Sequence, residues 1–452
     1  VSYLFLTSTF FFYSMPYLGE YLSVLNALFD HGRIIGHFIN AKQHHLIGVS
    51  ETHDQIRLLN DLESELGLDV WSEATLGHPG LVMVSGDKSG MLKEVLAAEE
   101  IKFTLEVENV KSLLDLEDSL LANASNRTRT QSRSSALPLD KIYRYDEIDA
   151  YLEEIARTYP NIVTLVNAGK SFEGRDIKYL KISTTNFQDP SKPVVYIESL
   201  LHAREWVTQP ATLYAIQKLV IDVTEQDLLQ DIDWIILPIA NPDGFEFSHT
   251  DQRLWRKNRA TGYMIGDFCS GVDLNRNFDV YWSQASSNVV CMDTFHGRAP
   301  FSEPETAIVR DIVNEHKDRM ELFLDIHSFG SMILYGYGTG VLPPNGLNLH
   351  LVGVRMAQAI DNVKMSWNDN YIVGNVALVL YQASGSAMDY AKIMGVPLAY
   401  TYELPGHRFG LGTGIGFFVD PDFIEQAGFE TWEGIKAGAR SAVTSYKMRR
   451  SG

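Results

Sequence analysis

The sequence predicts an α/β protein. A large domain with a mixed, mostly central sheet flanked by helices on both faces is preceded by a small α+β unit of ferredoxin-like order. Three observations carry this. From about residue 141 to 452, apolar strand-like runs alternate with helical stretches, the pattern of a layered α/β domain. Several of those runs are continuously apolar, as strands covered on both faces must be. Residues 46–120 follow a β-α-β-β-α-β order, which specifies a ferredoxin-like sandwich.

Taken in order, residues 1–45 form a leader and an unassigned segment. Residues 3–13 (YLFLTSTFFFY) are apolar but too short to span a bilayer, which takes about 20 residues. Their length suits the apolar part of a secretion signal, although no Lys or Arg precedes them and the chain starts at Val1. Residues 16–45 show no assignable pattern. In the 46–120 unit, HLIGVS reads as a strand. Ile56, Leu59, Leu62 and Leu66 then recur at helical spacing behind Thr52, a good N-cap residue. Val70–Trp71 and LVMVSG read as strands, SGMLKEVLAAEE as a helix and IKFTLEVEN as the closing strand.

Residues 119–140 change character. No acidic residue lies between Asp118 and Asp140, while Arg127, Arg129 and Arg133 sit among Ser, Thr and Asn. This is the composition of an exposed connector, where proteolysis concentrates. The stretch also carries sequons at Asn123 and Asn126, which fit a secreted chain. Beyond it, NIVTLVNAG, IKYLKIS, PVVYIESL, DIDWIILPIA, ELFLDIHS and VPLAYTYEL read as strands. VTQPATLYAIQKLVIDV, SEPETAIVRDIVNEHK, GLNLHLVGVRMAQAIDN, SAMDYAKIM and ETWEGIKAGARSAVTSYK read as helices.

Composition bounds the function. Of 452 residues, 45% are hydrophobic and 21% charged, the balance of a chain able to bury a core. The net charge of −19 argues against nucleic-acid binding, which needs a basic footprint on phosphates. Two cysteines exclude Cys-rich zinc modules and permit one disulfide at most. No other apolar run suggests a membrane anchor, and a monomer is the default expectation.

In open α/β sheets, function gathers at the carboxyl ends of the strands. Here PVVYIESLLHARE delivers His202 and Glu205, ELFLDIHS delivers His327, and VPLAYTYEL delivers Glu403. Two imidazoles and a carboxylate are a common zinc ligand set that leaves a position open for water. The H-x-x-E spacing supplies two ligands from one short turn, with a third arriving from a distant strand, but it also recurs by chance. A second cluster, DQRLWRKNR at 251–259, puts four cations in one short loop, with Asn275 and Arg276 downstream. Arginine's planar fork suits carboxylate recognition. A cationic loop in a net-acidic domain is either an anion site or a solvated basic loop.

Six motifs in order, HAREW (202–206), RLWRKNR (253–259), DLNRNF (273–278), DIHSFG (325–330), YQASGSAMDY (381–390) and YTYELPG (400–406), make residues 141–452 strongly resemble the zinc metallocarboxypeptidases of the pancreatic A/B type. Residues 46–120 and the connector at 121–140 resemble that family's inhibitory prosegment and activation site. The resemblance implies one zinc per chain on His202, Glu205 and His327, with Glu403 as general base and acid. It implies that Arg256 polarises the scissile carbonyl and that Asn275, Arg276 and Tyr381 bind the substrate's terminal carboxylate. Arg204 and Arg253 match auxiliary cationic positions in the groove, and Phe329, beside Ser328, matches an aromatic subsite residue. Cys269 and Cys291 match the family's disulfide, which would add roughly 3 kcal/mol in the chain-entropy model.

The implied protein is a secreted zymogen, cut by a trypsin-like protease near Arg127, Arg129 or Arg133, that removes C-terminal residues from peptides and proteins. Met388 falls where the family's pocket-floor residue lies, and Val376 and Thr401 match other pocket-lining positions. An apolar floor resembles the A-type enzymes, which favour aromatic or aliphatic C-terminal residues. A one-residue shift would put Asp389 there and imply B-type preference for Lys or Arg. Two other readings are a non-catalytic zinc- or peptide-binding relative and a zinc amide hydrolase of small acyl-amino acids. The Tyr381 motif and the prosegment oppose the latter. The segment after Glu403, LPGHRFG, is a residue shorter than in the familiar enzymes.

Overall fold

The computed structural model describes residues 43–451, apart from positions 51, 73, 75–78, 129–136, 265–268, 407, 410–412 and 415. The apolar stretch at 3–13, and Arg129 and Arg133, lie outside the described residues.

The N-terminal unit runs β1 (Gln43–Val49), α1 (His53–Leu66), β2 (Asp69–Ser72), β3 (Pro79–Ser85), α2 (Ser89–Ala98) and β4 (Lys102–Val107). Its antiparallel sheet has the order β2-β3-β1-β4, the ferredoxin-like arrangement expected. Helix α1 begins where Thr52 places it: the Thr52 hydroxyl accepts from the Gln55 amide and the Gln55 side chain accepts from the Thr52 amide. It ends at Gly67, whose φ of 60° is a left-handed cap that glycine adopts without steric cost. Alternation along β3 splits the unit's apolar residues. Val82 and Val84 face Leu62, Leu92 and Leu96 of the helices. Leu81 and Met83 face the other way and join Trp71 and Val107 against Leu254, Phe417 and Phe418 of the large domain.

After β4, helix α3 (Val110–Thr128) carries the chain through Asn123, Asn126 and Arg127. Residues 119–128 of the stretch read as an exposed connector are thus helical. Val110 is fully buried and Glu117 nearly so, which anchors the first half of the helix. Once a helix is nucleated, each further residue adds a hydrogen bond at little cost. A polar composition signals exposure, and Asn123 is exposed, but an exposed segment can still be helical.

The large domain continues with α4 (Tyr145–Thr158), β5 (Val163–Lys170), β6 (Asp176–Ile182), β7 (Val194–Ser199), α5 (Thr208–Val220), α6 (Gln226–Gln230), β8 (Asp233–Leu237) and α7 (Pro242–Thr250). Then follow α8 (Pro304–His316), β9 (Met320–Ser328), β10 (Met332–Tyr335), α9 (Gly346–Asp361), β11 (Ile372–Asn375), α10 (Val376–Val379), α11 (Ala387–Ile393), β12 (Leu398–Leu404) and α12 (Pro421–Ser451). The sheet has eight strands in the order β11-β10-β12-β9-β7-β8-β6-β5. The central run β12, β9, β7 and β8 is parallel, while the pairs β10–β12, β6–β8 and β5–β6 are antiparallel.

Every residue of β7, β8 and β9 is buried, as continuous apolarity requires. One face, with Val195, Ile197, Leu322, Leu324 and Ile326, packs on α4, α5, α9 and α12. The other, with Tyr196 and Phe323, packs on α8 and α11. Among the described residues no helix is long and apolar enough to cross a membrane.

Candidate active site and metal centre

Parallel neighbours end together, so β7, β9 and β12 deliver their chemistry to one edge. His327 and Glu403 are directly opposite in the β9–β12 register. The loop after β7 supplies His202 and Glu205. Their ligand atoms and those of His327 all lie within 4.8 Å of one another, and all three residues are buried. His202 Nδ1 is 2.8 Å from Glu205 Oε1, His327 Nδ1 is 2.9 Å from Glu205 Oε2, and the two Nδ1 atoms are 3.0 Å apart.

The far side of each ring fixes its tautomer. His202 Nε2 lies 3.0 Å from Asp273 Oδ1, and His327 Nε2 lies 2.7 Å from Asp325 Oδ2. Each carboxylate accepts a hydrogen bond from the Nε2–H and turns a bare Nδ1 lone pair inward. Three acceptors then converge with no proton between them, which is the donor set a zinc ion fits.

Asp273 was not singled out in the sequence, yet it ties the site together. It accepts from His202, from the Asn275 amide, and from Arg256 Nε and Nη2 at 3.1 and 2.8 Å. Despite burial, Arg256 and His202 hold it well below the usual carboxylate range. Asp325 was also missed. It shares a strand face with His327, two residues on, so the period of β9 aims both at one place. Both acids stand inside quoted motifs, and Asp325 interrupts an apolar strand; a charge in such a run is the signal that could have found it.

Asn275 is placed behind the metal ligands. Its Nδ2 donates to Asp325 Oδ2 at 3.1 Å and lies 2.9 Å from His327 Nε2, while its Oδ1 accepts from the Ala387 amide. Arg276 donates to the Asn275 carbonyl and reaches the Tyr381 hydroxyl at 3.4 Å. The loop carrying Tyr381 passes against the Arg276 backbone at Gly385 (φ 73°), where a Cβ would sit 2.3 Å from the Arg276 carbonyl oxygen. Met388 is buried on α11, beside Gly336. The Ser328 amide donates to Glu205 Oε2. Glu403 is partly exposed at the edge of the cluster, and burial of its carboxyl, with Glu205 and Asp325 adding and His327 and Arg256 opposing, pushes it up to about 8. Cys269 and Cys291 are joined in a disulfide.

The N-terminal unit meets the cationic loop directly. Asp69 accepts from Arg204 Nη1 at 2.7 Å, and the same nitrogen reaches Asp293 at 3.2 Å. Burial pushes Asp69 up to about 6 against the pull of Arg204, with Asp293 adding. Glu117 grips Arg253 through both oxygens, at 2.7 and 3.0 Å, and also accepts from the Val419 amide. Trp71 packs edge-on to Phe417, which packs edge-on to Phe329.

A fold and a site of this kind define a zinc carboxypeptidase carrying its activation peptide. The zinc carboxypeptidase family profile matches residues 148–434, and the carboxypeptidase activation peptide profile matches residues 49–117. The chain belongs to the zinc carboxypeptidase family. It is 45% identical over 88% of its length to a carboxypeptidase B of Helicoverpa zea, covering 92% of that protein. It is 33% identical over 85% of its length to carboxypeptidase A2 of Rattus norvegicus, covering 89% of that protein. The solved structure of a carboxypeptidase A from Helicoverpa armigera is similar with a TM-score of 0.87 and 60% identity, covering 91% of this chain and all of that one.

Proposed function

We propose that this carboxypeptidase is made as a secreted, monomeric zymogen and that, once cut within 127–133 by a trypsin-like protease, it removes aromatic or aliphatic C-terminal residues. The observation that carries the specificity is the burial of Met388, an apolar side chain that is 1% exposed and that the motif resemblance assigns to the floor of the side-chain pocket. The zymogen reading is supported by Asp69 and Glu117, which hold Arg204 and Arg253 with the prosegment's own carboxylates.

His202, Glu205 and His327 would hold the zinc, which would supply Lewis acidity and make the attacking water more acidic. Glu403 takes the proton of the attacking water and returns it to the leaving amine. Arg256, oriented by Asp273, donates to the oxyanion as it develops, a contribution of about 3–4 kcal/mol for one preorganised donor. Arg276 and Tyr381 fix the free carboxylate, so that only the last peptide bond reaches the metal. Asn275 steadies the ligand supports as well as the carboxylate site. Arg204, Arg253, Ser328 and Phe329 line the groove upstream.

The test is the cut enzyme on peptides differing only in the last residue. Phe, Tyr, Leu or Met should be released at least 10-fold faster than Lys or Arg, since an apolar pocket discriminates by about 1–3 kcal/mol. Preference for Lys or Arg would establish the B-type alternative, which the name of the Helicoverpa zea relative and the buried Asp389 beside Met388 keep in view.

A further inference from the structure

Two acids meet at one nitrogen of Arg204, and they come from opposite sides of the prosegment contact. Asp69 Oδ1 of the prosegment is 2.7 Å from Arg204 Nη1, and Asp293 Oδ2 of the large domain is 3.2 Å from the same atom. The Arg204 side chain is 1% exposed. It also donates to the Leu254 and Val70 carbonyls, and its guanidinium lies over the Phe417 ring. Asp69 and Val70 belong to the prosegment and leave with it. Asp293 and Leu254 belong to the large domain and stay.

Asp293 is held in place by its own loop. It follows Cys291, which the disulfide ties to Cys269. The buried Lys257 ammonium donates to the carbonyls on either side of that cysteine, Val290 O at 2.7 Å and Met292 O at 3.2 Å. The three residues before the acid are therefore pinned, and Asp293 is not free to swing away when a second carboxylate arrives. Its side chain is 30% exposed, so its charge reaches solvent as well as Arg204. Two carboxylates on one guanidinium nitrogen share a single positive charge and repel each other. Asp293 adds to the upward shift of the buried Asp69 carboxyl, the direction that such repulsion requires.

We propose that Asp293 is a specificity-determining residue of the substrate groove: a resident acid that cancels part of the Arg204 charge, disfavours acidic side chains upstream of the bond to be cut, and loosens the prosegment's grip through Asp69. The effect on substrates rests on the reading of Arg204 as a groove cation; the competition with Asp69 does not.

The experiment has two arms, both on the full chain after cutting within 127–133. In the first, kcat/KM is measured on peptides that differ only in carrying Ala or Glu at successive positions upstream of the C-terminal residue. Asp293→Asn should raise the Glu-to-Ala ratio about 5-fold at one or more positions, the upper end for a part-exposed ion pair, with the gain in KM rather than kcat. Added salt should shrink that gain. Asp293→Glu keeps the charge and should keep the wild-type ratio. An unchanged ratio in Asp293→Asn, or an equal change in Asp293→Glu, would overturn the proposal. In the second arm, release of the cut prosegment is followed by gel filtration, which needs no hydrolysis. Asp293→Asn should slow release about 5-fold in chains that carry Asp69 and leave it unchanged in chains with Asp69→Asn. Faster release, or equal effects in the two backgrounds, would overturn the proposal. If the cut wild type hydrolyses no peptide, the carboxypeptidase reading fails, and the second arm alone decides the competition for Arg204.

Discussion

The proton on each ligand histidine is set by the acid behind it, so the site's chemistry is decided one residue away from the metal ligands. Asp273 is the most connected of these acids, serving His202 and Arg256 together. Asp273→Ala should weaken zinc binding by about 10–100-fold and also lower kcat in the metal-saturated enzyme, since Arg256 loses its anchor. Glu403→Gln should abolish hydrolysis while zinc and a peptide inhibitor still bind. Near-normal turnover by that variant would remove Glu403 from the general-base role. His249 adds a pH dependence of another kind. It stacks on Trp206 at 3.9 Å, and burial, with Arg144 and Arg253 adding, lowers its pKa from 6.5 to about 3. The unfolded chain therefore binds this proton more readily than the native one. Stability from this group is complete above pH 6.5 and is lost as the pH falls toward about 3. Melting temperatures followed from pH 7 to 4 should fall less steeply in His249→Gln than in wild type.

Among the elements, the long buried strands were the most legible and the short edge strands the least. β7, β9 and β12 announce themselves by continuous apolarity, and their polar ends gave His202, Glu205, His327 and Glu403 together. β10 and β11 have four residues each and lie at one end of the sheet, β11 outermost, where pairing depends on the neighbouring strand more than on local pattern. Helix α3 is the opposite case, an exposed polar stretch whose helix the pattern did not reveal. Asp273, Asp69 and Glu117 were illegible for a shared reason. A carboxylate's importance here comes from the cation or imidazole that folding places beside it, and that partner lies far away in sequence. The Glu117–Arg253 contact makes this measurable. Removing one partner of a buried ion pair costs about 3–5 kcal/mol. Glu117→Ala should therefore weaken the prosegment's hold by roughly 100-fold or more, seen as activity in the uncut chain or as faster release after cutting. Unchanged latency in Glu117→Ala would show that this pair is not part of the hold.

At the scale of the whole molecule, the family, fold class and disulfide followed from six motifs and two cysteines, because a peptidase site needs many groups in fixed chain order. The contact between prosegment and groove was not readable in that way. It depends on how two separately patterned surfaces meet, and neither surface encodes the other in its own periodicity. Metal and fold are linked as well. A chelator should abolish hydrolysis and lower the melting temperature, since a ligand bound only by the native state stabilises it by about 2.7 kcal/mol at a hundred times its Kd. A melting curve indifferent to chelation would mean that the three ligands do not hold zinc in solution.

Glu117 lies ahead of Arg127, Arg129 and Arg133 in the chain, and its grip on Arg253 owes nothing to the peptide bonds downstream of it. A cut at any of the three arginines would turn an intramolecular partner into a separate molecule while leaving the Glu117–Arg253 pair itself intact. Activation by such a cut would have a clock with two hands: the protease would set the first, and dissociation of a tightly held fragment the second. Activity should lag behind cleavage, rise on dilution, and fall again when free prosegment is added back.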